Sequence, residues 1–376
     1  MLEREIVIVG AGPAGLSAAI EAAGAGAQVL CVDLNMKPGG QLFKQIHKFF
    51  GSAAHRSGTR GIDIGRIMLE EAEAKGVELW LGSTVAGLFP GNKVGIRRGH
   101  DGTAGEFVTV HAKKIIVAAG ASENVVRFEG WTTPGVMGAG AAQTMVNVNH
   151  VKPGKRVVML GSGNVGLIVS YQLMQAGCEV AALVEAAPKI GGYAVHAAKI
   201  ARAGVPIYTS HTIKRVEADE TGRVCKVVTI ALDEKFHEMP GTEREIQADT
   251  VAIGAGLKPT TELLALLKCD FTFHPVWGHV PLHGRDMQTS VPGVYIAGDT
   301  TGVEEANTAL EEGRIAGVSA AEALGYITAD AAEASRAAIW QRVEALRMGP
   351  FGEKRQKAKE NILTAFGANA AETAAG

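Results

Sequence analysis

Gly10-Ala11-Gly12-Pro13-Ala14-Gly15 and Gly161-Ser162-Gly163-Asn164-Val165-Gly166 share the spacing G-x-G-x-x-G. In this pattern the first glycine permits a tight turn out of a strand and the second lets backbone come close to a diphosphate. The third lets the following helix pack tightly on its sheet. The helix N-terminus then turns free N–H groups and a partial positive charge toward the phosphates. Asp33 lies 23 residues after Gly10 and Glu185 lies 24 after Gly161, the offset at which a carboxylate accepts hydrogen bonds from a ribose diol. One such hexapeptide is weak evidence in a chain with 48 glycines. Two of them, each with an acid at the matching offset, read as an internal duplication of a nucleotide-binding unit.

The elements that must hold these loops repeat too. Ile6, Val7, Ile8 and Val9 read as a buried strand, followed by a helix to about Ala25 and a second strand that ends at Asp33. Val157, Val158, Met159 and Leu160 open the second copy, with a helix to about Ala176 and a strand that ends at Glu185. Each copy is a βαβ unit. Residues 115–121 and 250–256 each place an apolar strand before a small-residue turn, with Ala119 and Gly120 in one and Gly254 in the other. Such a turn lets the chain pass close to a bound cofactor. The uncharged run 157–178 is long enough to cross a bilayer, but the glycines near its start make it strand, turn and helix.

At 376 residues the chain has the length of two domains, and 47% hydrophobic with 20% charged residues is the composition of a globular protein. The 37 basic and 39 acidic residues nearly cancel, which argues against nucleic acid or an anionic membrane as partner. Cys31, Cys178, Cys225 and Cys269 are far apart, with no C-x-x-C or metal-ligand spacing, and read as buried small hydrophobes in a reducing compartment. With no leader-like segment ahead of Glu5, the expected location is the cytoplasm. His274, His279 and His283 fall in an irregular segment without carboxylate or thiolate support, so no metal site is expected there.

These residues resemble the two-dinucleotide-binding-domain flavoproteins, the superfamily that includes thioredoxin reductase, and the similarity reaches about Leu324. The resemblance implies that the first fingerprint binds the ADP half of FAD and the second binds NAD(P)H. It implies that Gly39-Gly40-Gln41-Leu42 runs beneath the flavin. The segment 289–299 resembles the second FAD motif, with Gly298 and Asp299 at the ribityl chain and flavin-side phosphate. The helix that follows from Glu305 and Ala306 points its N-terminus at the flavin pyrimidine ring. Disulfide reductases need a redox-active cysteine pair, which this sequence lacks, so that activity is excluded on chemical grounds. Residues 130–143 are similar to the alpha-type subunits of opine oxidase, hydrogen cyanide synthase, (hydroxy)proline dehydrogenase and heteromeric sarcosine oxidase. Many of those continue into a cysteine-rich iron–sulfur module, and here no Cys follows Cys269, so such a cluster is expected to be absent or on another polypeptide. The tail reads as an alanine-rich helix over 330–346, then a basic run, 354–359, forming a solvated face, then a frayed end from Ala368.

The expected fold is α/β, with two Rossmann-like three-layer domains. The FAD-binding domain is discontinuous, 1–121 plus 256–376, and the NAD(P)-binding domain is 122–255, each with a parallel sheet flanked by helices. Hydride passes between nicotinamide and flavin, and the protein supplies binding and orientation. Glu185 predicts NAD(H) over NADP, because a carboxylate repels a 2′-phosphate and Ala186, Ala187 and Pro188 supply no cation. His47 is the candidate for a catalytic or substrate role beside the flavin, against a solvated face of Lys44, Gln45 and Lys48. Two enzyme functions stay open: the nucleotide-binding subunit of a heteromeric amine or imino-acid dehydrogenase, and a standalone NADH-dependent reductase or oxidase. The first implies a substrate-oxidising flavoprotein subunit, a separate iron–sulfur protein and an oligomer. A polypeptide whose nucleotide sites serve assembly alone is the non-enzymatic alternative.

Overall fold

The computed structural model describes residues 2–99, 105–349 and 352–375, those from 370 onward by their backbone alone. The chain forms two compact units, Met1–Ser122 with Lys258–Gly376, and Glu123–Leu257. The first unit is built on a seven-stranded sheet. Its strands Glu78–Trp80, Val29–Val32, Leu2–Val9 and Glu106–Val117 run parallel in that order, and Val294–Ile296 pairs in parallel with the end of the last. Strand alternation sends Ile6 and Ile8 to one face and Val7 and Val9 to the other, and both faces are buried, which is why the segment is apolar throughout. Helices Pro13–Gly24, Gly61–Ala74 and Ala306–Glu322 contribute Leu16, Ile64 and Ile315 to the first face. This sheet is not wholly parallel. Ser83–Phe89 and Lys93–Arg98 are antiparallel, because the three-residue connection through Gly91 and Asn92, both at positive φ, is far too short for a crossover.

The second unit has a five-stranded parallel sheet in the order Ile207–Thr209, Glu179–Glu185, Arg156–Leu160, Thr250–Ile253, Val136–Gly138. Helices Asn164–Gln175 and Ala194–Arg202 pack Leu167 and Ile200 on one face. The other face is covered by an antiparallel sheet, His211–Ala218, Val224–Ala231 and Arg244–Gln247, in place of the expected helix layer. Its β-branched side chains Ile213, Val216 and Val227 close over Val158, Val184 and Val251.

In the tail, helix Ala329–Leu346 is followed by Glu353–Ala375, so the helix continues through the stretch expected to fray from Ala368. The basic run on it is a solvated face only in part: Lys354 and Lys357 are exposed and Arg355 is half-buried, but Lys359 is 2% exposed. His274 and His279 sit on a hairpin, Phe271–His274 with Gly278–Pro281, rather than in an irregular segment. Cys225 is half-buried, unlike the other three cysteines, and all four are free.

Candidate functional site

Each fingerprint forms the turn between a parallel strand of its unit, Leu2–Val9 or Arg156–Leu160, and the helix behind it, and the two turns carry the same hydrogen bonds. The Gly10 amide donates to the Val32 carbonyl at 2.8 Å, and the Gly161 amide to Val184 at 2.7 Å. Both glycines are left-handed, at φ +101° and +106°, and a Cβ on either would overlap a carbonyl oxygen of the neighbouring strand end, Ala118 or Gly254. Gly15 and Gly166 hold their helices against the turn, where a Cβ would run into the Gly10 or Gly161 carbonyl. The middle glycines differ in kind. Beside Gly163 a Cβ would meet nothing within 4 Å, and beside Gly12 only Gly40 Cα at 3.9 Å. Open space over a helix N-terminus, at a residue without a side chain, is what a diphosphate requires, and both loops fit one.

The two acids take equivalent positions. Asp33 Oδ2 accepts from the Ala11 amide at 2.7 Å, and Oδ1 accepts from the Asn35 amide and side chain at 2.7 and 2.9 Å. Glu185 Oε2 accepts from the Ser162 amide and hydroxyl at 2.8 and 2.5 Å, and Oε1 from the Ala187 amide at 2.8 Å. In both, one oxygen fixes the fingerprint loop and the other fixes the chain two residues on. Described residues thus fill three of four lone-pair positions on each carboxylate; the fourth is on Oδ2, beside the loop, in Asp33, and on Oε1, beside Ala187, in Glu185.

A third shared element was read in the sequence only in its first copy, Gly39-Gly40, and its second copy went unread. The Gly39 amide donates to the Ala11 carbonyl at 2.6 Å, and the Gly192 amide to Ser162 at 2.8 Å. Gly39-Gly40 and Gly191-Gly192 each begin six residues after the acid, and that offset was the available signal. Gly40 abuts Gly12 so closely that a Cβ would lie 2.8 Å from the Gly12 Cα. In the second unit Ser162 Oγ also accepts from the Gly191 amide at 3.0 Å, and Asn164 Oδ1 from Tyr193 at 2.9 Å. The first loop, with Ala11 and Pro13 there, has no side chain to make these ties.

The remaining sequence candidates fall in several settings. Gly120 receives a strand end and its amide donates to Thr300 Oγ1 at 3.2 Å, beside Ala119. Gly298, at φ +71°, abuts Ala14, and Gly313 abuts the Ala14 carbonyl, so Ala14 is wedged between two glycines and its side chain serves packing. Leu42 is wholly buried in the core and Gln41 is exposed. Val165 is 40% exposed, and Gly254 lies against Gly166. Glu305 is the N-cap of helix Ala306–Glu322 and pairs with Arg355 at 3.2 Å. His47 stacks on Phe49 with ring centroids 6.2 Å apart. Asp299 accepts a long hydrogen bond from the Glu304 amide, 3.4 Å, and burial raises its carboxyl to about 6, with Glu312 and Glu304 adding to the rise. Among the described residues no group of three His, Cys, Asp or Glu side chains is placed to hold a metal ion, and no helix is long and apolar enough to cross a membrane.

A family model described as pyridine nucleotide-disulphide oxidoreductase matches residues 4–313. An opine oxidase subunit of Rhizobium meliloti (strain 1021) is 28% identical over 349 residues, which cover 85% of this chain and 71% of that one. The alpha subunit of sarcosine oxidase from Corynebacterium sp. (strain P-1) is 29% identical over 86% of this chain, but the match spans 33% of that longer polypeptide. The crystal structure of T. acidophilum thioredoxin reductase superposes with a TM-score of 0.66 at 23% identity, over 86% of this chain and 99% of that one, a likeness of fold.

Proposed function

Because the chain belongs to the pyridine nucleotide-disulphide oxidoreductase family, whose members use FAD and NAD(P)H, we propose that it is the nucleotide-binding flavoprotein subunit of a heteromeric amine or imino-acid dehydrogenase. It is an oxidoreductase. In our reading FAD lies on the first unit, at Gly10, Gly12, Gly15, Asp33, Gly40 and Asp299, and NAD(H) on the second, at Gly161, Gly163, Gly166 and Glu185. The observation that carries the reading is the pair of fingerprint loops with matching acid-to-amide bonds, each open above its middle glycine. Bound together, the cofactors supply hydride transfer between nicotinamide and flavin. The chain's own part is to hold the diphosphates on helix N-termini and the riboses on the acids.

The substrate class follows from relatives named as subunits of opine oxidase and sarcosine oxidase, which also supports partner subunits. We assign the protein to the cytoplasm, in keeping with its four free cysteines. Purified protein tests the proposal. It should be yellow or become so with FAD, and it should co-purify from its source with a substrate-oxidising flavoprotein. A chain that shows no flavin absorbance after incubation with FAD refutes the cofactor assignment. Rapid anaerobic bleaching by NADH, with steady turnover to a small acceptor and no co-purifying partner, favours a standalone reductase instead.

A further inference from the structure

The tail beyond residue 313 lies outside the part of the chain that the family model matches, yet it sends two cations into the interior of the first unit. Arg347 and Lys359 are 4% and 2% exposed. Arg347 donates from Nε to Glu304 at 3.0 Å and from Nη2 to Glu304 at 2.6 Å and Glu312 at 3.0 Å. Lys359 Nζ donates to the Thr301 carbonyl at 2.9 Å and to the Thr301 hydroxyl, and pairs with Glu312 at 3.2 Å and Glu304 at 3.7 Å. Glu312 in turn accepts from the Gly298 amide at 3.1 Å and from Thr301 Oγ1 at 2.8 Å. Glu304 donates its amide to Asp299. Two backbone groups of this turn, the Gly298 amide and the Thr301 carbonyl, are thus bonded to charges of the cluster, and a third, the Glu304 amide, is bonded to Asp299.

We propose that Lys359 and Arg347 are positioning residues of the flavin site, holding the Gly298–Thr301 turn and setting the charge at Asp299 from behind. The inference rests on the assignment of FAD to the first unit. Anchoring the tail does not need these ions. Ala358 and Ile362 already pack on Trp277, Val280 and Leu282, and apolar contact of that kind secures a helix without the desolvation that a buried ion set costs. The ions also converge on one turn rather than spreading along the helix. The groups that face Asp299 are Glu304 and Glu312 on the negative side and Lys359 on the positive, with Arg347 between the two glutamates. His283 close by is buried and held neutral, its imidazole lowered to about 3 by burial and the neighbouring Lys359.

Glu304 and Glu312 raise the Asp299 carboxyl and Lys359 lowers it, so each of them shifts the ionisation of Asp299 in a direction fixed by its sign. The experiment measures FAD dissociation constants of the full chain by flavin fluorescence between pH 4.5 and 8, where the ionisation of Asp299 appears as a break near pH 6. Lys359→Met should weaken FAD about tenfold at pH 7 and move the break upward; Glu312→Gln should move it downward. Lys359→Arg should restore the wild-type break, and Lys357→Met, on the exposed side of the same helix, should leave both quantities unchanged. Opposite displacements cannot come from general loosening of the fold, and Glu312→Gln still reads the effect if Lys359→Met fails to fold. Breaks that stay at the wild-type pH in folded variants, or that move in the same direction, overturn the inference. A wild-type chain that takes up no FAD overturns the cofactor assignment beneath it.

Discussion

Replacing Asp299 with Asn should stabilise the cofactor-free protein while weakening its hold on FAD. Burial lifts the carboxyl from 3.8 to about 6, roughly two units, and each unit corresponds to about 1.4 kcal/mol between the charged and neutral forms. Because the folded value lies above the unfolded one, the native state keeps the extra proton between about pH 4 and pH 6. Its stability falls as pH rises through that window, and the full cost, about 3 kcal/mol, is present at pH 7. Asn removes the charge, and its side-chain oxygen still accepts from the Glu304 amide. For a unit of this size about 3 kcal/mol corresponds to a rise of about 6–12 °C in melting temperature. The assay is thermal unfolding of both apo-proteins at pH 7.5 and pH 4, since other acids titrate alike in the two and cancel in the difference. The advantage of Asp299→Asn should be full at pH 7.5 and nearly gone at pH 4. An equal or lower melting temperature for the variant at pH 7.5, or the same advantage at both pH values, refutes the reasoning that burial rather than a compensating partner governs this carboxyl.

The glycines of one fingerprint should separate fold from binding. Gly163→Ala meets open space and should change stability by no more than about 1 kcal/mol while abolishing dinucleotide binding, whereas Gly166→Ala collides with the Gly161 carbonyl and should cost about 1–3 kcal/mol, as calorimetry and NADH titration will show. NADH should be used at least about tenfold better than NADPH in kcat/KM, because a carboxylate at Glu185 would repel a 2′-phosphate; equal use would remove Glu185 from the proposed ribose role. NADH-dependent reduction of a small aromatic disulfide should stay at background, since all four cysteines are free and burial raises the thiols of Cys31, Cys178 and Cys269 above their usual range; rapid turnover would demand a dithiol that this chain lacks.

The family name joins pyridine nucleotide and disulfide, and this chain keeps the scaffold for the first without the cysteine pair for the second. Electrons that reach a flavin here need another exit. Relatives named as subunits fit a partner that supplies or receives them.

What the sequence determined by itself is what local geometry dictates. A left-handed residue at Gly10 or Gly161, a collision between residues five apart at Gly15 and Gly166, and a strand-helix-strand length that brings Asp33 or Glu185 back beside the turn are all consequences of short-range backbone rules. Even the missed pair Gly191-Gly192 was legible at the same offset from its acid as Gly39-Gly40. The tertiary structure decided what those rules do not reach. A run such as 354–359 reads as a solvated face because lysine and arginine are rarely buried. Lys359 is nonetheless buried against Thr301, 58 residues away in the chain, and Arg347 reaches Glu304 across 43. Whether a charge meets water or an opposite charge depends on which distant surface its helix packs against, and no periodicity within the helix encodes that surface. The antiparallel layer over the second sheet was settled in the same way, by which apolar face remained to be covered once the strands had paired.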